Sequence, residues 1–346
     1  MKRSLWILAL LAVAVSLVTI VSELSDAHTD GNLQQAPILI KFSHVVANNT
    51  PKGKGALRFK ELAEKATNGR VRVEVYPNST LYKDKEELEA LQLGAVQMLA
   101  PSLAKFGPFG VKEFEVFDLP YIFPSKEVLY RVTQGPIGRD LFKKLEPKGI
   151  TGLAYWDNGF KVMSANKPLH VPGDLQGLTM RIQSSKVLDA QMRALGANPQ
   201  VLPFSDVYQA LRSGVVDGTE NPPSNLYTQK MNEVQKYVTV SDHGYLGYAV
   251  IVNKKFWDGL PSDIRSELDI AMDEATKYAN AIAEQENEAA LAAVQKTGKT
   301  TIYYLNEQEK AQWRAALLPV RKQMEERVGK DLIEALNQEA AAAGQR

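Results

Sequence analysis

The sequence contains no cysteine, so it cannot form disulfide bonds, a thiolate nucleophile or a zinc-thiolate site. With 346 residues, 45% of them hydrophobic, it is long enough to bury a core without such cross-links. It also lacks an excess of charge of either sign, because 41 Lys and Arg residues face 40 Asp and Glu residues, for a formal net charge of +1. A near-neutral chain has no field to attract a polyanion, so we expect no nucleic-acid partner.

The sequence also lacks the short motifs of common enzymes. It has no glycine-rich phosphate loop, no pair of histidines at metal-ligand spacing on a helix and no Gly-x-Ser-x-Gly turn. Its histidines, His28, His44, His170 and His243, lie in unrelated segments. We therefore expect a binding protein without metal or cofactor. Two alternatives stay open: a lyase or hydrolase that uses His44 or His243 as its base, and a ligand-sensing module of a receptor.

One apolar run, at the N-terminus, approaches the length of a membrane span. Lys2 and Arg3 precede an uncharged stretch at 4–21, and the small residues of Ser25-Asp26-Ala27 follow it. This pattern is typical of a secretory signal peptide at 1–27 and predicts export to the periplasm. An uncleaved membrane anchor is the alternative, because about 18 apolar residues can span a bilayer.

The rest of the sequence alternates between strand-like and helical patterns. The first strand-like runs lie at 38–42, 71–75 and 96–99, with helical patterns between them at 51–66 and 85–93. This order indicates an α/β fold with a mostly parallel sheet covered by helices, and the pattern restarts after Phe160. A helical segment from Pro261 to about Lys296 has no internal proline or glycine. At 1.5 Å per residue it would be roughly 50 Å long, which is enough to bridge two lobes.

Polar residues follow the strand-like runs of the first half of the chain. Ligands of open parallel sheets bind beyond the carboxyl ends of the strands, where the loops meet. Those loops carry His44, Lys83 and Ser102, which we expect to share one rim of a cleft. Lys83 and His44 could meet one carboxylate of a ligand there.

Two cations that follow Phe160 are candidates for a carboxylate site. Arg181 lies in the strand-like run at 179–182, where a buried charge is costly unless an anion pairs with it. Its planar guanidinium can bind a carboxylate through two parallel hydrogen bonds. Pairing with an Asp or Glu of the protein is the alternative. Lys161 lies at the suspected lobe junction and could add a second positive charge, or be a solvated lysine.

Four further residues complete the candidate ligand-binding set. Asn221 lies in a turn fixed by two prolines, and its amide can both donate and accept hydrogen bonds, although Asn before Pro is also ordinary turn chemistry. Phe204 could form a cleft wall or belong to the core. Trp156 lies in the predicted loop before Lys161, and His243 lies in the predicted loop at 241–245.

The sequence resembles the periplasmic substrate-binding proteins of tripartite ATP-independent periplasmic (TRAP) transporters, from about Ile38 to the C-terminal helices. The markers are Tyr76-Pro77-Asn78-Ser79, the segment 152–161, Leu178-Thr179-Met180-Arg181, Tyr208-Gln209-Ala210-Leu211 and Asp217-Gly218-Thr219-Glu220-Asn221-Pro222. The segments 42–46, 81–88 and 100–107 are similar to the four-carbon dicarboxylate subgroup.

The resemblance implies a two-lobed periplasmic binding protein fold, with crossing hinge strands and a long helix that bridges the lobes. On this basis we place lobe I at 36–158 and 247–285, and lobe II at 159–246 and 286–346. The implied partners are a small carboxylate and the small and large integral membrane subunits of a transporter. We expect the binding protein itself to be a monomer.

The resemblance also implies roles for single residues. Arg181 would form the salt bridge to the ligand carboxylate, with Asn221 in support. Lys161 stands where sialic-acid binders often carry arginine, which argues against a sugar-acid ligand. Ser102 stands where they tend to carry an acidic residue, and the absence of that anionic group suits a more negative ligand. A dicarboxylate such as succinate, malate or fumarate fits best, while a longer dicarboxylate and an aromatic acid stay open.

Overall fold

The computed structural model describes residues 36–344, which form two mixed β-sheets with helices packed on them. The strands are β1 (Ile38–Ser43), β2 (Val71–Tyr76), β3 (Met98–Leu99), β4 (Ile150–Phe160), β5 (Val162–Ala165), β6 (Thr179–Ile182), β7 (Asn198–Val201), β8 (Gly218–Asn221), β9 (Tyr237–Val240), β10 (Tyr245–Asn253) and β11 (Thr301–Tyr304). The helices are α1 (Pro51–Ala66), α2 (Glu87–Gln92), α3 (Lys126–Gln134), α4 (Pro136–Lys143), α5 (Lys186–Ala194), α6 (Val207–Ser213), α7 (Pro223–Thr228), α8 (Lys254–Asp258), α9 (Ser262–Lys296), α10 (Glu307–Gln323), α11 (Glu325–Val328) and α12 (Lys330–Gly344).

The first sheet defines lobe I and has the strand order β2-β1-β3-β10-β4. Helix α1 covers this sheet and begins at Pro51, where the sequence predicts its start. The Thr50 hydroxyl accepts a hydrogen bond from the backbone N–H of Gly53, and Pro51 occupies the first helical position, where its missing N–H costs nothing. Phe59 of α1 then packs edge-on against Phe42 of β1, with ring centres 6.1 Å apart, in the core of the lobe.

The second sheet defines lobe II and has the order β11-β9-β5-β8-β6-β7. Every antiparallel pair in the two sheets involves β10 or β5, and the other pairs are parallel. The predicted mostly parallel sheets are therefore mixed. The reason is that β5 and β10 begin at the junction between the lobes and run away from it, whereas the other strands run towards it. The carboxyl ends of the parallel strands of both sheets consequently face the cleft.

Four connections link the lobes within residues 36–344, and the first three are the two strand crossings and helix α9. The chain crosses at Lys161, between β4 and β5, and again at 241–244, between β9 and β10, where the N–H of Lys161 donates to the carbonyl of Gly244 at 2.9 Å. Helix α9 is the third link. Leu268 in its first half packs in the core of lobe I, and Val294 near its end packs in lobe II. The predicted long bridging helix is confirmed at 35 residues.

The C-terminal helices return the chain from lobe II to lobe I. Trp313 and Leu317 of α10 lie in the core of lobe II, whereas Val328 at the end of α11 and Leu336 of α12 lie in the core of lobe I. The segment 286–346, predicted as part of lobe II, therefore ends with residues that pack in lobe I, because an apolar face of α12 covers α3 of that lobe. None of the helices between residues 36 and 344 combines the length and apolar composition of a membrane span. The predicted signal peptide at 1–27 lies outside the described residues.

Candidate functional site

The carboxyl ends of the parallel strands of the two sheets enclose a cleft between the lobes. A cavity of about 760 Å³ opens there, and residues of both lobes line it, among them Asp84, Lys105, Arg181 and Gln183. Side chains also meet directly across the cleft. The amide of Gln183 donates to the Ser102 hydroxyl at 2.7 Å, and the amide of Asn225 donates to the Tyr248 hydroxyl at 3.1 Å. The two lobes are therefore joined by polar contacts across the cleft.

Arg181 lies on β6 and is held rigidly at the floor of the cleft. Its side chain is 2% exposed, and its Nε and Nη2 atoms donate to the carbonyl of Leu202 at 3.0 and 2.8 Å. The buried Nη1 atom has no hydrogen-bond partner among residues 36–344. Burial lowers the pKa of Arg181 from its usual value, although Asp84 and Glu220 oppose this shift. A fixed guanidinium with an unused N–H can donate a hydrogen bond to a ligand carboxylate.

Phe204 and Asn221 accompany Arg181. The guanidinium carbon of Arg181 lies 5.8 Å from the centre of the Phe204 ring, within the range of a cation-π contact. Asn221 at the end of β8 is 3% exposed, and its Nδ2 atom lies 3.4 Å from the Thr219 hydroxyl. Arg181 thus lies on the strand between β8, which ends at Asn221, and β7, which precedes Phe204.

Lys52 provides a second buried cation, which the sequence interpretation missed. It lies in the first turn of α1, is fully buried, and donates from Nζ to the carbonyl of Ala100 at 3.0 Å. Burial, together with the charge of Lys105, lowers the pKa of Lys52 to about 7. It forms no salt bridge with any residue of the described chain. The sequence could have indicated Lys52, because the first turn of a helix that follows a strand lies at the same sheet edge as the predicted rim.

Two other buried lysines are neutralised by carboxylates of the protein. Lys105 contacts Asp84, with Nζ 2.5 Å from Oδ1, and also contacts Glu87. Burial alone would raise the pKa of Asp84, but the Lys105 ammonium outweighs it and holds that pKa at about 2. Lys161 lies 2.6 Å from Oε1 of Glu220 and is likewise paired. Among the buried lysine and arginine residues at 36–344, only Lys52 and Arg181 have no carboxylate partner.

Lys161 and His243, both predicted ligand contacts, are each bound to a carboxylate of the protein in this structure. Both lie on the crossing segments between the lobes, and both bind the same carboxylate. Nε2 of His243 is hydrogen-bonded to Oε2 of Glu220 at 2.8 Å, and Nδ1 to the Ser241 hydroxyl at 2.8 Å. Burial alone would raise the pKa of Glu220, but Lys161 and His243 lower it to about 2.

The loop predicted around Trp156 is corrected, whereas the ligand-binding role of Lys83 stays a prediction. Trp156 is fully buried in the core of lobe I, because β4 continues to Phe160 where a loop was predicted, and its indole N–H donates to Thr276 at 2.9 Å. Lys83 stands at the outer edge of the cleft, half exposed, and pairs with Asp206 of lobe II at 3.1 Å. An exposed lysine that is already paired contributes little free energy to binding a ligand inside the cleft.

His44 and Ser102 lie inside lobe I, with His44 close to Lys52. His44 is fully buried, and neither ring nitrogen has a hydrogen-bond partner within the described residues. Burial, with the charge of Lys52, lowers the pKa of His44 to about 3, so its ring is neutral and offers a hydrogen bond in place of a charge. Ser102 is 3% exposed and already accepts a bond from Gln183. Ser43, beside His44, carries another buried hydroxyl without a partner among residues 36–344.

Comparison with known proteins identifies relatives over most of the chain. Residues 42–327 match the model of a family described as bacterial extracellular solute-binding protein, family 7. The C4-dicarboxylate-binding periplasmic protein DctP of Rhodobacter capsulatus is 69% identical over 300 residues, which cover 87% of this chain and 90% of that protein. The C4-dicarboxylate-binding protein DctB of Bacillus subtilis is 43% identical over 303 residues, covering 87% of this chain and 86% of that protein.

Solved structures of similar proteins share the fold. A TRAP periplasmic solute-binding protein from Sulfurospirillum deleyianum, solved with bound succinate, superposes with a TM-score of 0.85 at 47% identity and covers 88% of this chain and 99% of its own. Another from Pseudomonas aeruginosa, solved with bound L-malate, superposes with a TM-score of 0.81 at 46% identity and covers 83% of this chain and 100% of its own.

Proposed function

The chain belongs to the bacterial extracellular solute-binding protein family 7, and from this premise we propose that it captures a four-carbon dicarboxylate, such as succinate, malate or fumarate, between its lobes. It is a solute-binding protein of the TRAP type and not an enzyme. The expected two-lobed α/β fold is confirmed by the solved relatives.

One observation carries the proposal: two buried cations, Lys52 in lobe I and Arg181 in lobe II, have no carboxylate partner within residues 36–344. Leaving a single charge buried and unpaired costs several kcal/mol, so a protein keeps such groups where a ligand pairs with them. Two such charges match a ligand with two carboxylates. Because they belong to opposite lobes, we propose that one small dianion bridges them when the lobes close on it.

Neutral groups around the two cations complete the site. His44, Ser43 and Asn221 are buried and can form hydrogen bonds to carboxylate oxygens without adding charge. Phe204 covers one side of the Arg181 guanidinium. The relatives support the same ligand class, because the Rhodobacter capsulatus protein is named as a C4-dicarboxylate binder and the two solved relatives hold succinate and L-malate.

Delivery to a membrane transporter follows from the family. TRAP periplasmic proteins work with membrane subunits, and we propose that this chain, exported by its segment at 1–27, acts as a monomer in the periplasm with one small and one large integral subunit. Lobe II would move against lobe I about the crossings at Lys161 and 241–244. Small-angle scattering should show compaction when a binding ligand is added to the free protein, and an unchanged radius of gyration would contradict this motion.

Calorimetry of succinate against butyrate tests the ligand class. The two acids have similar length, but butyrate lacks the second carboxylate. Losing one charge-assisted hydrogen bond costs about 1.5 to 3 kcal/mol, so succinate should bind about 10- to 150-fold more tightly. Equal affinities, or a preference for butyrate, would contradict the dicarboxylate assignment while leaving the family membership intact.

A further inference from the structure

One carboxylate, that of Asp84, connects the buried charges of lobe I to the backbone of lobe II. Its Oδ1 atom lies 2.5 Å from the Nζ atom of Lys105, and its Oδ2 atom accepts a hydrogen bond from the backbone N–H of Phe204 at 2.6 Å. Lys105 is itself held by Glu87 on α2, so the Asp84 side chain has a fixed position in lobe I. Phe204 belongs to lobe II, where it begins the turn before α6.

We propose that Asp84 is a closure latch: a positioning residue that locks lobe II over the ligand by holding the Phe204 amide, while Lys105 holds Asp84 in place. The inference rests on the proposed function and adds the residue that sets how long the ligand stays bound. Asp84 need not contact the ligand itself. It acts through Phe204, which lies against the Arg181 guanidinium on the opposite side of the cleft.

The geometry favours a latch over a purely structural role. A hydrogen bond from an N–H group to an ionised carboxylate is about twice as strong as a neutral one, and the 2.6 Å separation is shorter than the roughly 2.9 Å of an ordinary N–H···O bond. Lys105 also keeps a second carboxylate, Glu87, so lobe I does not need Asp84 to neutralise this lysine. Because the bond to Phe204 joins the two lobes, it stabilises the closed arrangement relative to an open one.

Replacing Asp84 with Asn tests the proposal. Asparagine keeps the size and one acceptor oxygen but loses the charge that strengthens the bond. With succinate as the probe, stopped-flow measurement should give an association rate within about twofold of the parent and a dissociation rate at least about tenfold faster, since a latch acts on the bound state. Asp84→Ala, which removes the acceptor, should dissociate at least as fast as Asp84→Asn.

A matched control lies beside the latch. Lys83 and Asp206 form an exposed ion pair between the same two segments of the two lobes. Asp206→Asn removes a carboxylate that also links the lobes, but exposed pairs contribute little, so its dissociation rate should stay within about twofold of the parent. If Asp206→Asn and Asp84→Asn speed dissociation equally, any contact between the lobes serves and Asp84 is no specific latch.

Hydrogen exchange of the parent protein tests the same idea without a variant. The Phe204 amide should exchange at least about tenfold more slowly with saturating succinate than without it, because the latch forms on closure. Unchanged exchange at Phe204, or parental dissociation of Asp84→Asn, would overturn the latch. A parent that binds no dicarboxylate would overturn the proposed function instead, so the two failures are distinguishable.

Discussion

The ammonium nitrogen of Lys52 lies 3.7 Å from the centre of the Tyr248 ring. An aromatic face attracts a desolvated cation by about 2 kcal/mol, and the carbonyl of Ala100 accepts one of the three ammonium hydrogens. These neutral partners offset part of the cost of burying the charge, and they leave donors free for a ligand. Tyr248 also bonds to Asn225 of lobe II through its hydroxyl, so the ring that supports Lys52 contacts both lobes.

Replacing Lys52 with Met should abolish the preference for dianions. Methionine retains the apolar stem and much of the volume, but it offers no charge to the second carboxylate. Succinate affinity should fall by about 10- to 150-fold, the equivalent of one charge-assisted hydrogen bond, while butyrate affinity should fall less. Calorimetry with both acids measures the difference. Lys54→Met, two residues along α1 at a partly exposed ion pair, is the control and should bind as the parent does. An unchanged ratio between the two acids in Lys52→Met would remove Lys52 from the site.

Binding should take up a proton at mildly alkaline pH. Burial and the charge of Lys105 lower the pKa of Lys52 to about 7 in the free protein, and a bound carboxylate would raise it again. Below about pH 6 Lys52 is already charged and affinity is flat, whereas above pH 7 each unit should weaken binding by up to about tenfold. Calorimetry at pH 8 in buffers of different ionisation enthalpy should show uptake of about one proton.

The charge state of His44 does not interfere with this test, because burial lowers its pKa to about 3 and it stays neutral throughout. Lys52→Met should show no proton uptake at pH 8. Uptake that persists in this variant would assign the proton to another group, such as the buried Glu87.

The architecture was predictable because it rests on local patterns. Apolar periodicity located the strands of β1, β2 and β6, and the absence of proline and glycine gave α9 almost to its observed ends. Strand direction was not predictable in the same way, since periodicity is identical for a strand and its reverse. The directions of β5 and β10 depend on where the chain crosses between the lobes.

Site residues were predictable only where position alone determines their role. The prediction of Arg181 as a site residue follows from its charge inside a strand at the cleft edge. Lys161 and Lys52 look alike in sequence, and their roles differ because a partner 59 residues away, Glu220, neutralises Lys161. Lys52 meets a ring and a carbonyl, and no carboxylate of the described chain. Such long-range pairing is a property of the folded structure and leaves no local pattern.

Arg181→Lys should abolish tight binding although the charge is retained. Lysine is a point donor that cannot form two parallel hydrogen bonds in one plane, and it cannot keep the double contact to Leu202. The loss should be on the order of 2 to 4 kcal/mol, or roughly 30- to 1000-fold in succinate affinity.

Arg193→Lys is the matched control, because this arginine pairs with Asp189 on the exposed face of α5 and should tolerate lysine. Both variants must melt like the parent without ligand. Succinate binding by Arg181→Lys within about threefold of the parent would identify Arg181 as an ordinary strand-end arginine.

Glu220→Gln should destabilise the junction between the lobes. The change leaves Lys161 buried without its carboxylate and weakens the bond to His243, and breaking a buried pair in this way costs about 3 to 5 kcal/mol.

Lys161 and His243 hold the pKa of Glu220 at about 2, against an ordinary value of 4.5. Because that pKa is depressed, the carboxylate stabilises the parent above about pH 4.5 and this contribution is lost as the pH falls towards 2. Urea unfolding across this range should therefore show a weaker acid dependence in Glu220→Gln. Glu286→Gln, at a partly exposed pair, should cost about 1 kcal/mol or less, and an equally small loss in Glu220→Gln would show that the junction does not depend on this network.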